Sequence, residues 1–300
     1  MVSLPPPLES DADVPAFAAA LGVEGLVDLH VHFMPQRVLE KVWAFFDRVE
    51  DPGPWPIQYR EDEASRLARL RAMGLRAWTA LNYPHKPGMA EWLNAYSAEL
   101  AAAHPEVVHS ATFYPEPEAD RYVGEALEQG ARVFKVHLQV GGYDPRHPCL
   151  APVWRRLEFA GVPVVVHCGS GPQPGAYTGP GPFGEVLAAH PELVAVIAHM
   201  GGPEYREFLD LALAYPRVHL DTTMTFTDFM EGTLGSAYPL ELRDRLADVP
   251  ERVVLGTDFP NIPHRYAHQL EALRRLHLGP AWLRAVCHDN PARLLGLAST

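Results

Sequence analysis

Four times along this chain a helix-like segment runs into a proline and is followed at once by a Val- or Leu-rich run. The copies read Ala103-His-Pro-Glu-Val, Ala189-His-Pro-Glu-Leu, Ala214-Tyr-Pro-Arg-Val and Val249-Pro-Glu-Arg-Val. Proline lacks the N–H a helix needs and pushes its predecessor towards extended geometry, so each copy predicts a helix-to-strand junction. The runs that follow are short and apolar on both faces, as parallel strands covered by helices are. Eight strand candidates result: Leu26–Phe33, Ala77–Asn82, Val107–Phe113, Ala131–Leu138, Val162–Cys168, Leu193–His199, Val218–Thr222 and Val253–Gly256. Helical patterns separate them. Met89, Leu93, Tyr96 and Leu100 share one helical face, as do Val123 and Leu127 before Gly130, and Val153 and Leu157 before Gly161. Eight strands alternating with helices over about 250 residues predict the α/β class and a closed (β/α)8 TIM barrel. An open doubly wound sheet is the structural alternative, but it carries a Gly-rich turn after its first strand. Here the first strand ends in histidines.

Composition narrows what such a barrel can do. The 300 residues are 47% hydrophobic and 21% charged, enough for a sizeable core and incompatible with disorder, collagen or a small disulfide scaffold. Lys and Arg number 25 against 37 Asp and Glu, and the net charge of −12 repels phosphate backbones, so no nucleic-acid partner is expected. No apolar stretch approaches the roughly 18 residues of a membrane span, and no secretory signal pattern opens the chain. Cys149, Cys168 and Cys287 share no metal-type spacing, which predicts a reducing compartment, the cytoplasm. Residues 1–25 read as an N-terminal extension, 26–300 as one barrel domain, and Met34–Arg60 as an enlarged first βα loop. The partner expected is a small-molecule substrate; homo-oligomers are compatible with this pattern.

Polar residues interrupt the apolar strands near their C-terminal ends. Strand 1 carries Asp28-Leu-His30-Val-His32, where period 2 sends His30 and His32 to one side and Leu29, Val31 and Phe33 to the helices. On the same rule Asp28 faces inward below His30, placed to orient a ligand histidine. Strand 4 carries Lys135-Val-His137, strand 5 ends in His167, strand 6 in His199 and strand 8 in Gly-Thr-Asp258-Phe-Pro. A lone strand-end histidine is commonly a hydrogen-bonded core residue. Convergence changes the reading, because the C-terminal rim of a barrel is where catalytic side chains from different strands meet. Imidazoles with one carboxylate suit a divalent ion such as zinc, with manganese or another ion as alternatives. Tyr83, His85, Tyr114, Arg146, His147, His264 and Arg265 lie on rim loops. Trp43, Phe45, Phe46 and Trp55 suggest an aromatic-lined entrance, and Met224, Phe226 and Phe229 a pocket wall or core.

Taken together, Asp-x-His-x-His on strand 1, His167, Ala-His199-Met-Gly-Gly, Gly-Thr-Asp258-Phe-Pro and the closing Asn290-Pro-Ala-Arg-Leu-Leu resemble the amidohydrolase superfamily, amidohydrolase-2 branch. The resemblance runs from about Leu26 to Leu295. It implies a TIM-barrel metal-dependent hydrolase or decarboxylase. It implies His30, His32, His167 and Asp258 as ligands of one ion, and His199 as the residue bonded to the attacking water. Lys135 and His137 become substrate-binding or second-metal candidates, since in binuclear relatives a strand-4 lysine is carboxylated and bridges two ions. One ion is the expectation here.

On this reading Asp258 and His199 are the catalytic pair of a hydrolase attacking an ester, lactone or amide carbonyl of a small aromatic or cyclic acid. A non-oxidative decarboxylase uses the same site, and a non-catalytic metal-binding barrel is the third alternative.

Overall fold

The structure, a computed structural model, describes residues 4–50 and 53–298; the first three residues of the expected extension, Asp51 and Pro52 of the first loop, and the last two residues of the barrel domain lie outside it. The strands are β1 (Leu26–Asp28), β2 (Leu75–Thr79), β3 (Val107–Val108), β4 (Ser110–Thr112), β5 (Val133–His137), β6 (Val164–His167), β7 (Ala195–Ile197), β8 (Val218–Asp221) and β9 (Val253–Val254). Every pairing is parallel, in the orders β1-β2-β3 and β4-β5-β6-β7-β8-β9. β3 and β4 are two halves of one expected strand, interrupted at His109. There the Ala80 N–H donates to the Ser110 hydroxyl, 2.9 Å away, in place of a ladder bond.

Backbone bonds also join the two outermost strands. Leu29 N–H donates to Leu255 O at 2.9 Å, Asp258 N–H to His30 O at 2.8 Å, and His32 N–H to Phe259 O at 2.7 Å. The ring of strands closes through the segments that follow β1 and β9. This is the α/β TIM barrel that the alternation of strands and helices predicts.

The helices sit where periodicity and punctuation place them. Helices Ala90–Ala103, Pro180–Ala189, Tyr205–Ala214 and Leu240–Asp248 stop within two residues of a junction proline. Helix Ala151–Ala160 instead ends on Gly161, whose φ of 64° is a left-handed cap. Two apolar layers result. Val27, Leu29, Ala77, Val108, Val133, Val165, Val196 and Val254 pack together inside the barrel, with Ala292 and Leu295 of the C-terminal segment against them. Phe134, Val136, Val164, Val166, Ile197, Val218 and Leu220 belong to the outer layer beneath the helices.

The first strand departs from its expected phase. Leu29 lies with Val27 in the inner layer, not against the helices, while Val31 and Phe33 are in the outer one. Asp28 points outward, accepting hydrogen bonds from Thr257 Oγ1 (2.6 Å) and from Tyr266 Oη (2.9 Å) of the covering helix Tyr266–Arg274. The cause is local. The Asp28 carboxylate accepts the His30 N–H at 3.0 Å, an Asx turn that ends the regular strand at Asp28. Leu29 and His30 therefore face the same way despite being adjacent. The expectation that Asp28 orients a histidine ring is corrected: it holds the His30 backbone.

The extension is tied to the barrel rather than trailing from it. Val14 and Phe17 are fully buried, Asp11 accepts bonds from Tyr59 Oη (2.6 Å) and Ala267 N (3.0 Å), and Leu8 N donates to Glu271 at 3.1 Å. Glu271 is also gripped by Arg274 and Arg275. The Arg274 bond leads, against an opposing push from burial, in drawing its carboxyl down to about 2. A depressed carboxylate adds stability above its unfolded pKa near 4.5 that disappears as pH falls towards 2. Glu271→Gln should therefore cost about 1–2 kcal/mol at pH 6 and almost nothing near pH 2. Denaturant unfolding of both proteins across that range checks it; a gap independent of pH would refute the assignment.

Candidate metal centre

His30 is held from behind. Its Nδ1 lies 2.8 Å from Asp221 Oδ2 and 3.0 Å from Thr223 Oγ1. A carboxylate can only accept, so Nδ1 carries the proton and Nε2 presents a lone pair. His32 Nδ1 lies 3.0 Å from the Leu81 carbonyl, which settles its tautomer in the same way. The two Nε2 atoms stand 3.2 Å apart, and Asp258 Oδ1 lies 2.9 Å from that of His32 and 3.4 Å from that of His30. Three electron-rich atoms thus converge from the segments that follow β1 and β9. Such a cluster persists only around positive charge, either a proton or a metal ion.

A local cation does stand beside it. Lys135 Nζ is 3.1 Å from His30 Nε2, and the side chain is 1% exposed. Burial brings the Lys135 ammonium down to about 8. Burial first, and then that ammonium, hold His30 down to about 3, so its imidazole is neutral. Burial pushes the Asp258 carboxyl up, but the closeness of His32 and of the other imidazoles outweighs it and holds the group well below the usual carboxylate range.

His199 enters the same cluster. Its ligating atom and those of His30 and Asp258 all lie within 4.8 Å of one another. The resemblance implies that His199 serves the water and His167 the ion. The His167 ring sits 4.7 Å from that of His199, and its Nε2 is bonded to the Gly171 carbonyl at 3.0 Å. His137 stacks on His167 at 3.8 Å and accepts the Val140 N–H at 3.3 Å, which occupies its Nδ1. The structure therefore gathers His30, His32, Lys135, His199 and Asp258 closely, with His167 and His137 as an adjoining stacked pair.

The backbone is strained where the chemistry concentrates. His199, Met200 and Asp258 have φ of 55°, 51° and 71°, left-handed values that non-glycine residues rarely adopt. Tertiary bonds hold them: His199 N–H donates to Asp221 Oδ1 at 2.8 Å, and Asp258 N–H to His30 O. The enlarged first loop clamps the Asp258 segment from outside. Trp43 Nε1 donates to Asn261 Oδ1 at 3.2 Å and Trp55 Nε1 to Asn261 O at 2.7 Å. Both indoles are buried, whereas Phe45, expected at the entrance, is 52% exposed.

The model of the family described as amidohydrolase matches residues 27–297. The chain belongs to the amidohydrolase family. No curated protein matches it. Among solved structures, this chain is similar to an uncharacterised TIM-barrel protein from Bordetella bronchiseptica at 20% identity, covering 90% of this chain and 99% of that one with a TM-score of 0.67. It is similar to a probable 2-pyrone-4,6-dicarboxylic acid hydrolase from Acinetobacter baumannii, at 15% identity, 91% and 100% coverage and a TM-score of 0.60. It is also similar to a 5-carboxyvanillate decarboxylase from Novosphingobium aromaticivorans complexed with manganese and a nitrobenzoic acid, at 14% identity, 91% and 96% coverage and a TM-score of 0.59.

Sequence reasoning missed the hub of this site. Asp221, fully buried, accepts from His30 Nδ1, from the His199 N–H and from the Thr223 N–H at 3.1 Å. The signal was present: Val218-His-Leu-Asp221 ends an apolar strand in a carboxylate at the catalytic rim. Gly256 was missed as well. A Cβ there would meet His30 Cβ at 2.7 Å and Asp221 Cγ at 3.2 Å, and would collide with Thr223 Oγ1. Gly256→Ala should displace His30 from Asp221 and cost about 1–3 kcal/mol. Thermal unfolding together with metal content checks this; unchanged values for both would show that the site tolerates the methyl group.

Among the loop candidates, Tyr83 reaches the site, with ring centroids 5.5 Å from His32 and 5.0 Å from His137. His85, Arg146 and His147 are exposed, and Arg146 is spent on Asp144 and Glu185. Tyr114 Oη donates to Gly141 O, and Arg265 donates to Glu9 O. Cys168 packs in the outer core, opposite His167. Met224 and Phe226 are buried, with Phe226 4.9 Å from Tyr238, and Phe229 packs 4.7 Å from Trp55. Among the described residues no helix is long and apolar enough to cross a membrane.

Proposed function

We propose that this protein is a metal-dependent hydrolase of small anionic organic substrates, cleaving an ester, lactone or amide bond. One observation carries the reading: His30 Nε2, His32 Nε2 and Asp258 Oδ1 converge with lone pairs facing one another. Their donor set fits a divalent ion, since each histidine already gives its other nitrogen to Asp221 or to the Leu81 carbonyl. His30, His32, His167 and Asp258 would hold one ion, zinc or manganese, with His199 turned to the water. Such an ion, when bound, would supply Lewis acidity and make hydroxide available at neutral pH.

The chain's own groups then divide the work. Asp258 takes a proton from the attacking water on a carboxylate oxygen and returns it to the leaving group. His199, fixed through its backbone by Asp221, stabilises the oxyanion that develops. Lys135 keeps an unmodified amine, which pairs with the substrate's anionic group, and no second ion is required.

A decarboxylase is the second reading, favoured by the buried Lys135 amine, which suits a substrate carboxylate beside the same acid-base pair. The test is one screen of metal-replete protein against esters, lactones and amides of small cyclic acids and against aromatic carboxylic acids. Acid release without CO2, abolished by chelation and restored by added metal, is the expected result. CO2 release in place of hydrolysis would transfer the site to lyase chemistry. Turnover of neither class would leave the non-catalytic metal-binding barrel.

A further inference from the structure

The opposite end of the barrel carries a second polar hollow, independent of the reading above. A cavity of about 440 Å³ opens at the N-terminal ends of β7, β8 and β9, lined by Arg217, His219, Glu251, Arg252 and Arg293. Arg217 precedes β8, Arg252 precedes β9, and Arg293 belongs to the closing helix Asn290–Leu294. His219 sits on β8 two residues before Asp221, so both leave the strand on the inner face while Val218 and Leu220 enter the outer layer. A chain with a net charge of −12 has here brought three guanidiniums together around one carboxylate.

The polar groups of this hollow are not satisfied by the protein. His219 is 4% exposed, yet its Nδ1 has no hydrogen-bond partner among the described residues. Arg252 Nη1 is buried and equally unpartnered. Arg293 spends one nitrogen on the Glu251 carbonyl at 3.2 Å, Glu251 Oε1 lies 3.5 Å from Arg252 Nε, and Arg217 Nε reaches Glu192 at 3.1 Å. Burial, with the charges of Arg293 and Arg252, holds His219 down to about 3, so the ring is neutral. A neutral imidazole keeps one nitrogen as an acceptor, and with the proton on Nε2 that nitrogen is Nδ1. Unpaired buried donors and an acceptor side by side cost free energy unless a ligand satisfies both.

We propose that this hollow binds inorganic phosphate. The hydrogen phosphate dianion offers charged oxygens to the guanidiniums of Arg252 and Arg293 and a P–OH to His219 Nδ1. Arginine is the side chain whose planar fork suits such an oxyanion. Sulfate has the same shape and charge but no hydroxyl, so it satisfies the arginines and leaves Nδ1 unpaired.

Isothermal titration of metal-loaded protein with phosphate and with sulfate, at constant ionic strength, tests the assignment. One phosphate per chain is expected, bound more tightly than sulfate. Arg252→Gln and Arg293→Gln should each weaken phosphate at least about tenfold, and His219→Phe should erase the preference over sulfate. Each variant lies at the far end of the barrel from the metal centre, so unchanged turnover and unfolding temperature show that the fold is intact. Phosphate held at the metal centre instead would bind both arginine variants as it binds the parent protein. That result, or no phosphate binding at all, overturns the proposal.

Discussion

Asp258→Asn should lower kcat by about two orders of magnitude or more while metal content falls far less. The substitution keeps the size of the side chain and one ligating oxygen but removes the basicity needed to take a proton from water. The imidazoles of His30 and His32 remain, 3.2 Å apart at Nε2 and still oriented by Asp221 and the Leu81 carbonyl, so a divalent ion keeps most of its donors. The backbone should tolerate the change, because asparagine adopts the left-handed conformation of Asp258, φ 71°, about as readily as aspartate. Steady-state kinetics beside metal analysis on the same preparation separates the two effects. Turnover close to that of the parent protein would mean that another group moves the proton, and His199 and His137 would be the next to test.

Removing Asp221 should do the reverse, damaging the site's assembly before its chemistry. Asp221→Ala leaves the His30 Nδ1–H, the His199 N–H and the Thr223 N–H buried with a hole where their shared acceptor stood. Each orphaned buried donor costs about 1–3 kcal/mol, so a total loss of stability of about 3 kcal/mol or more is expected. Without its carboxylate partner His30 also loses its fixed tautomer and ring orientation, which should weaken metal affinity by about 10–100-fold. Asp221→Asn, which retains one accepting oxygen, should fall between the two proteins. Denaturant unfolding gives the first quantity, and competition with a chelator of known affinity gives the second. Full metal affinity in Asp221→Ala would show that the hydrogen bond behind His30 contributes nothing to the centre.

These two residues also mark how far local reading reaches. Asp258 was legible because Gly-Thr-Asp-Phe-Pro sits at the end of an apolar run, where a barrel directs its chemistry. Asp221 satisfies the same rule, but nothing nearby in sequence hints at its partner. The bond that gives it a role joins it to His30, 191 positions away. The arginine-lined hollow shows the same limit, since Arg217 and Arg252 lie before two different strands and Arg293 on the closing helix, and all three resemble ordinary surface charge until the barrel closes.

What the sequence determined by itself was the alternation of parallel strands and helices, the helix stops at prolines and glycine, and the strand ends that carry polar side chains. Each of these depends on sterics and side-chain periodicity within a few residues, which any folded context preserves. Tertiary structure alone decided the phase of the first strand after Leu29, the grouping of His199 with His30 and Asp258, and the bond of His167 to the Gly171 carbonyl. Period 2 holds only while the ladder continues, and the Asp28 carboxylate ends it by accepting the His30 N–H. Which imidazoles then converge depends on ring rotation about side-chain bonds, and distant hydrogen-bond partners set that rotation once the barrel has brought them within reach.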